Sequence, residues 1–208
     1  MIQMYPCRMH CLSYAIVRIG LLATLSFIAS NVSAQDLPSD HTEYGVETGY
    51  LTKIKNNSPY DYRIVPTQLV WLTEPFYDLW RGNSGMRLLA RHRFALLAET
   101  ISDGPETYYL GLSAAPTLEL WLPDQKTALF TAVGGGAGYI NSKGVAGGQG
   151  QNFTLNFFTQ IGIRHQVTKD VALFGTSFFL HHSNRGMTSP NPGIDTEGIT
   201  LGLIWQAR

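Results

Sequence analysis

Near the end of the chain stands Phe179-Leu180-His181-His182-Ser183-Asn184-Arg185-Gly186, followed by Pro190-Asn191-Pro192-Gly193-Ile194-Asp195. A serine hydroxyl is a weak nucleophile until a base takes its proton, and histidine does that near neutral pH. A carboxylate on the other imidazole nitrogen fixes the tautomer and stabilises the imidazolium. His181, Ser183 and Asp195 supply these three group types. The tetrahedral intermediate of ester cleavage also needs donors for its oxyanion. Asn184, Asn191 and the backbone N–H groups near Gly186 are candidates for that work.

Extended backbone is what would bring these groups together. On a strand, residues two apart point to the same side. His181 and Ser183 then share a face with Leu173 and Phe179, while His182 points the other way. On the following segment, Asp195 and Glu197 share a face with Ile199, Leu201, Leu203 and Trp205. That face is apolar, so it reads as facing lipid. A histidine, a serine and a carboxylate would meet on the outside of a barrel, where an acyl chain stays in the bilayer while its ester reaches the serine. Glu197 is an alternative to Asp195 as the acid. The adjacent histidines do not suggest a metal site, because strand alternation sends their side chains apart and one ion cannot easily take both.

The rest of the chain fits such a barrel. Charged residues make up 14 % of the sequence, well below the ~25 % of an average soluble domain. The segment Asn152 to Gln166 alternates, with one face apolar and the other mostly polar apart from Phe158. Phe153, Leu155, Phe157, Ile161 and Ile163 share one side; Asn152, Thr154, Asn156, Gln160 and Arg164 share the other. Similar alternation gives eight strands, at about 43–54, 61–73, 86–100, 107–121, 126–140, 152–167, 170–183 and 195–206. The predicted fold is therefore all-β, an eight-stranded antiparallel transmembrane β-barrel, the even count being usual for bacterial barrels. Inward acids of the first strand, Glu43 and Glu47, are placed to neutralise the inward Arg87, Arg91 and Arg93 of the third. Short connectors at Pro123-Asp124-Gln125 and Thr168-Lys169-Asp170 read as periplasmic turns, and the longer 141–151 and 184–194 as outer loops. The stretch Glu74 to Gly85, with Phe76, Tyr77, Leu79 and Trp80, is expected to be a long turn lying along the membrane interface. Gly134-Gly135-Gly136 has no following Lys-Ser or Lys-Thr and fits a crowded strand better than a phosphate loop.

Residues 1–34 read as a secretory signal peptide. Arg8 and Arg18 precede an apolar run ending in Val32-Ser33-Ala34, and the run is shorter than the ~20 residues of a spanning helix. Residues 35–208 then form the barrel domain. Cys7 and Cys11 fall in the leader, so the mature chain would have no thiol and neither disulfides nor cysteine chemistry. A formal net charge of zero gives no sign of a nucleic-acid partner.

At the site residues the chain resembles the lipid A 3-O-deacylase family of PagL-like outer-membrane enzymes. The shared pattern is His-x-Ser-Asn-x-Gly on the penultimate strand, then a Pro-Asn-x-Gly turn and an acid twelve positions after the serine. Here it reads His181, Ser183, Asn184, Gly186, then Pro190 to Gly193, and Asp195. Well-known members carry glutamate at the acidic position, and this chain carries aspartate. The resemblance implies a bacterial outer-membrane barrel that removes the ester-linked 3-O acyl chain of lipid A, the membrane anchor of lipopolysaccharide. It implies a Ser-His-acid triad working without metal or other cofactor. Two other readings stand beside it: a structural or surface-interaction barrel with a degenerate triad, and an esterase or phospholipase acting on another lipid. Splayed site residues would favour the first of these.

Overall fold

The structure, a computed structural model, describes residues 37–54 and 58–206. The expected signal peptide and both cysteines lie outside the described residues. Eight strands follow in order: β1 (Glu43–Lys53), β2 (Arg63–Arg81), β3 (Arg87–Asp103), β4 (Tyr108–Trp121), β5 (Thr127–Ile140), β6 (Phe153–Gln166), β7 (Val171–Ser183) and β8 (Ile194–Gln206). Each pairs antiparallel with the next, and β8 returns to β1, closing the barrel. Closure matters in hydrocarbon, where nothing outside the sheet can satisfy an open edge.

Side-chain alternation sets inside from outside. Leu112, Ile161, Ile199 and Leu201 on the outer face are each more than half exposed. The inner face is polar and packed. Glu43 accepts from Arg91 at 2.6 Å and from Arg164 at 2.8 and 2.9 Å, and Glu47 accepts from Arg93 at 2.7 Å. First-strand acids thus meet third-strand arginines as the alternation predicts, with β6 adding Arg164. Removing such charges from water is costly, and the cost is offset only by dense, short, charge-assisted bonds like these. Arg87 departs from the pattern: at the barrel's end it pairs with Asp40 and Asp78. Aromatic side chains fill much of the remaining interior. Trp121 lies under the Arg164 guanidinium, and Phe158 stacks on Phe178 at 5.7 Å.

Gly134, Gly135 and Gly136 sit mid-β5, where a Cβ would collide with backbone oxygens of Ala114, Asn156 and Leu112. Close approach of the flanking strands explains the run.

One expectation is corrected. Residues 74–81 are not part of a long turn; they prolong β2, and the turn is confined to 82–86. This extension pairs with β3 through register shifts near Pro75, Tyr77 and Trp80. The bulges destroy the period of two, which is why the segment does not read as a strand. Phe76, Tyr77, Leu79 and Trp80 are nonetheless exposed. At the same end, Leu37 is buried with Leu89, Trp121 and Ala128, closing the bottom of the barrel.

Turns 82–86, 122–126 and 167–170 lie at that end. The opposite end carries connections 104–107, 141–152 and 184–193, together with the one between β1 and β2. The long connectors expected at 141–151 and 184–194 appear at 141–152 and 184–193, whereas 104–107 is a tight connection at the same end.

Candidate active site

The register of β7 and β8 places His181 directly opposite Asp195. His181 Nδ1 and Asp195 Oδ1 are 2.5 Å apart, a short charge-assisted hydrogen bond. Their side chains are 35 % and 25 % exposed, so the pair is screened only in part. Ser183 ends β7, two residues beyond His181 on the same outward side, and lies opposite Leu155 of β6. Glu197 lies opposite Phe179, two residues farther from the loop. It is thus about 6–7 Å along the strand from the position that faces His181. The register therefore puts Asp195, not Glu197, at the imidazole.

His182 points inward. It is fully buried, its Nε2 lies 2.9 Å from Glu99 Oε2, and its ring packs on Tyr109 with centroids 4.4 Å apart. The two neighbouring histidines thus occupy opposite faces of the sheet, as alternation requires.

The loop after Ser183 is built around Asn184, which is fully buried. Its Nδ2 donates to the carbonyls of Gln149 (2.5 Å) and Thr188 (2.9 Å), and its Oδ1 accepts from Gly186 N at 2.8 Å. Its own N–H donates to Asn191 Oδ1 at 2.9 Å. These bonds revise one expectation: the Asn184 amide and the Gly186 N–H are spent on the loop and are not free for an oxyanion. Asn191, in contrast, is exposed. Gly186 and Gly193 have φ of +76° and +71°, a backbone region that glycine enters without cost. A Cβ at Gly193 would lie 3.6 Å from His181 Cε1, so the Pro190-Asn191-Pro192-Gly193 turn packs beside the imidazole.

Sequence reasoning did not find Gln149. It is a buried residue of the 141–152 loop whose carbonyl holds Asn184. No local pattern marks it, because the contact joins residues 35 apart in sequence.

Comparison with known proteins adds to this geometry. No curated protein sequence matches the chain. Among solved structures it is similar to the crystal structure of the outer membrane enzyme PagL. That likeness has a TM-score of 0.51 at 16 % identity and covers 79 % of this chain and 99 % of the other. It is also similar to the backbone structure of the Yersinia pestis outer membrane protein Ail in a phospholipid bilayer nanodisc. There the TM-score is 0.37 at 13 % identity, again over 79 % of this chain and 99 % of that one. At 16 % identity the likeness to the PagL structure shows the fold alone. The family profile described as lipid A 3-O-deacylase (PagL) matches residues 67–203, a span from β2 to β8 that contains His181, Ser183 and Asp195. The chain belongs to the lipid A 3-O-deacylase (PagL) family.

Proposed function

We propose that this barrel, seated in the bacterial outer membrane, is a serine hydrolase that removes the ester-linked acyl chain from the 3-position of lipid A. In this reading Ser183 is the nucleophile, His181 the general base and Asp195 the acid that orients it. The observation that carries the assignment is the 2.5 Å His181–Asp195 hydrogen bond, with Ser183 two residues away on the same outward face. An ionised carboxylate only accepts, so His181 donates its Nδ1–H to Asp195. Nε2 is then left unprotonated, the form that a base needs.

His181 Nε2 takes the Ser183 proton as Oγ attacks the ester carbonyl carbon. The tetrahedral intermediate collapses, the proton passes to the departing 3-oxygen of the sugar, and the acyl group stays on Ser183. A water then repeats the sequence with His181 as base and releases the fatty acid. Developing negative charge on the carbonyl oxygen needs donors. The exposed Asn191 amide, in the turn that packs beside the imidazole, is assigned that role. An outward site suits such a substrate, since the acyl chain need never leave the bilayer.

The test is the mass of lipid A from cells with and without the protein. The protein should remove the mass of one ester-linked acyl chain, and neither Ser183→Ala nor His181→Ala should do so while remaining folded barrels. Unchanged lipid A with the wild-type protein, or full activity in Ser183→Ala, would overturn the assignment.

A further inference from the structure

Glu106 lies in the tight 104–107 connection between β3 and β4 and is 1 % exposed. Three donors converge on its carboxylate: Tyr62 Oη at 2.9 Å, Ser142 Oγ at 2.7 Å and Gln149 N at 3.2 Å. Burying a carboxylate is expensive, and these bonds are what offset it. Burial and the neighbouring Glu106 carboxylate push the Tyr62 hydroxyl's pKa up, so it stays protonated and remains a donor. Ser142 Oγ also accepts from Gln149 N, so the carboxylate grips the 141–152 loop at two residues. Gln149 in turn offers its carbonyl to Asn184 Nδ2 at 2.5 Å, and Asn184 directly follows Ser183. A second contact runs beside the first: a Cβ at Gly150 would lie 2.8 Å from Pro190 O, so the two loops touch backbone to backbone.

We infer that Glu106 is a positioning residue for deacylation, acting through Ser142, Gln149 and Asn184 to hold Ser183 and the loop that follows it. The inference rests on the function proposed above and adds to it a residue distant from the reacting atoms. The physical reason is strand fraying. Ser183 is the last residue of β7, where ladder bonds end, so its position depends on what fixes the next residue. Thr188 and Gly186 fix the Asn184 side chain within its own loop; Gln149 ties it to the 141–152 loop, and the carboxylate of Glu106 holds Gln149 there. A displacement of the nucleophile of about 1 Å is enough to cost roughly 100-fold in rate.

The experiment uses the purified full chain in detergent micelles with lipid A. Glu106→Ala should lower kcat about 10- to 100-fold, with KM changed less than about threefold, because the lipid-binding face is untouched. Labelling of Ser183 by a fluorophosphonate should slow by a similar factor. The folded fraction, read from the mobility of unheated barrel on a gel, should stay near wild type. Glu106→Gln keeps one acceptor and should restore most of kcat. The double variant Glu106→Ala with Asn184→Ala should lose no more than the worse single variant, as expected of residues on one path. Should Glu106→Ala fold poorly, Tyr62→Phe removes a single donor and should still lower kcat measurably. Normal kcat in Glu106→Ala, or losses that multiply with those of Asn184→Ala, would overturn the inference. The function itself fails separately, if wild-type protein shows no Ser183-dependent release of fatty acid.

Discussion

Replacing Asp195 by Asn keeps the size and one acceptor opposite His181 but removes the charge that stabilises the imidazolium in the transition state. The structure bounds the loss. Two unit charges about 4 Å apart attract by ~1 kcal/mol in water and ~4 kcal/mol at an effective dielectric of ~20. With the two side chains 35 % and 25 % exposed, the pair falls between these limits. A loss of about 2–3 kcal/mol is expected, or roughly 30- to 150-fold in kcat at 1.36 kcal/mol per factor of ten. Glu197 is opposite Phe179, and its charge acts from about 6–7 Å farther along the strand through more solvent. Glu197→Gln should cost less than about threefold. The assay is the initial rate of fatty-acid release from lipid A in micelles, with both variants at equal folded fraction. A larger loss in Glu197→Gln than in Asp195→Asn would refute the register argument. Two harmless substitutions would mean a Ser-His dyad and no orienting acid.

Three further outcomes follow from the same geometry. His182→Gln removes the buried partner of Glu99, so the barrel should lose about 1–3 kcal/mol of stability in urea titration yet keep most of its activity where folded. Inactivation comparable to His181→Ala would place the wrong histidine outside. Glu43→Gln leaves the buried Arg91 and Arg164 with Glu119, at 3.7 and 3.6 Å, as their remaining carboxylate partner among the described residues, and should cost about 3–5 kcal/mol in unfolding from lipid vesicles. In the β4–β5 turn, burial alone would raise the Asp124 carboxyl. Hydrogen bonds from the Thr127 side chain and the Lys126 and Thr127 N–H groups, with His165 nearby, instead hold it below the ordinary range. A lowered carboxyl stabilises the fold above its unfolded value of ~3.9, and that contribution is lost as pH falls through the folded value. Asp124→Asn should therefore be less stable than wild type at neutral pH, with the gap closing in acid. A gap that stayed constant down to about pH 2.5 would sink that account.

The sequence is most legible where structure is local. A period of two needs only neighbours, so the inward Arg91, Arg93 and Glu47 and the outward Ile161, Ile199 and Leu201 all read directly from alternation. The same rule separated His181 from His182. Residues 74–81 were opaque because Pro75 and the nearby bulges break the period while the backbone continues as strand. The choice between Asp195 and Glu197 was open for another reason. It depends on stagger between β7 and β8, and both residues lie on the same face, so alternation cannot rank them. The loop that follows Ser183 was the least legible part. The Asn184 side chain bonds Gln149, Thr188 and Gly186, and only the folded chain shows these partners.

The division between interior and exterior also explains where chemistry can sit. The interior is occupied by the Glu43–Arg91–Arg164 and Glu47–Arg93 networks and by Trp121, Phe158 and Phe178, which leaves no room for a lipid. Its charges serve to fill and rigidify a narrow barrel. A site for an amphipathic ester must therefore lie outside, and polar groups there are costly in hydrocarbon unless paired or close to the interface. His181 and Asp195 meet both conditions, hydrogen-bonded to each other and located at the loop ends of β7 and β8. Farther down the same face, beyond Glu197, exposed Leu173, Ile199 and Leu201 give a mainly apolar surface for an acyl chain. The transition from paired polar groups to mainly apolar surface along two strands matches the headgroup-to-tail order of a membrane lipid. On the function proposed above, the ester of such a lipid would meet His181 and Ser183 at this boundary, outside the packed barrel.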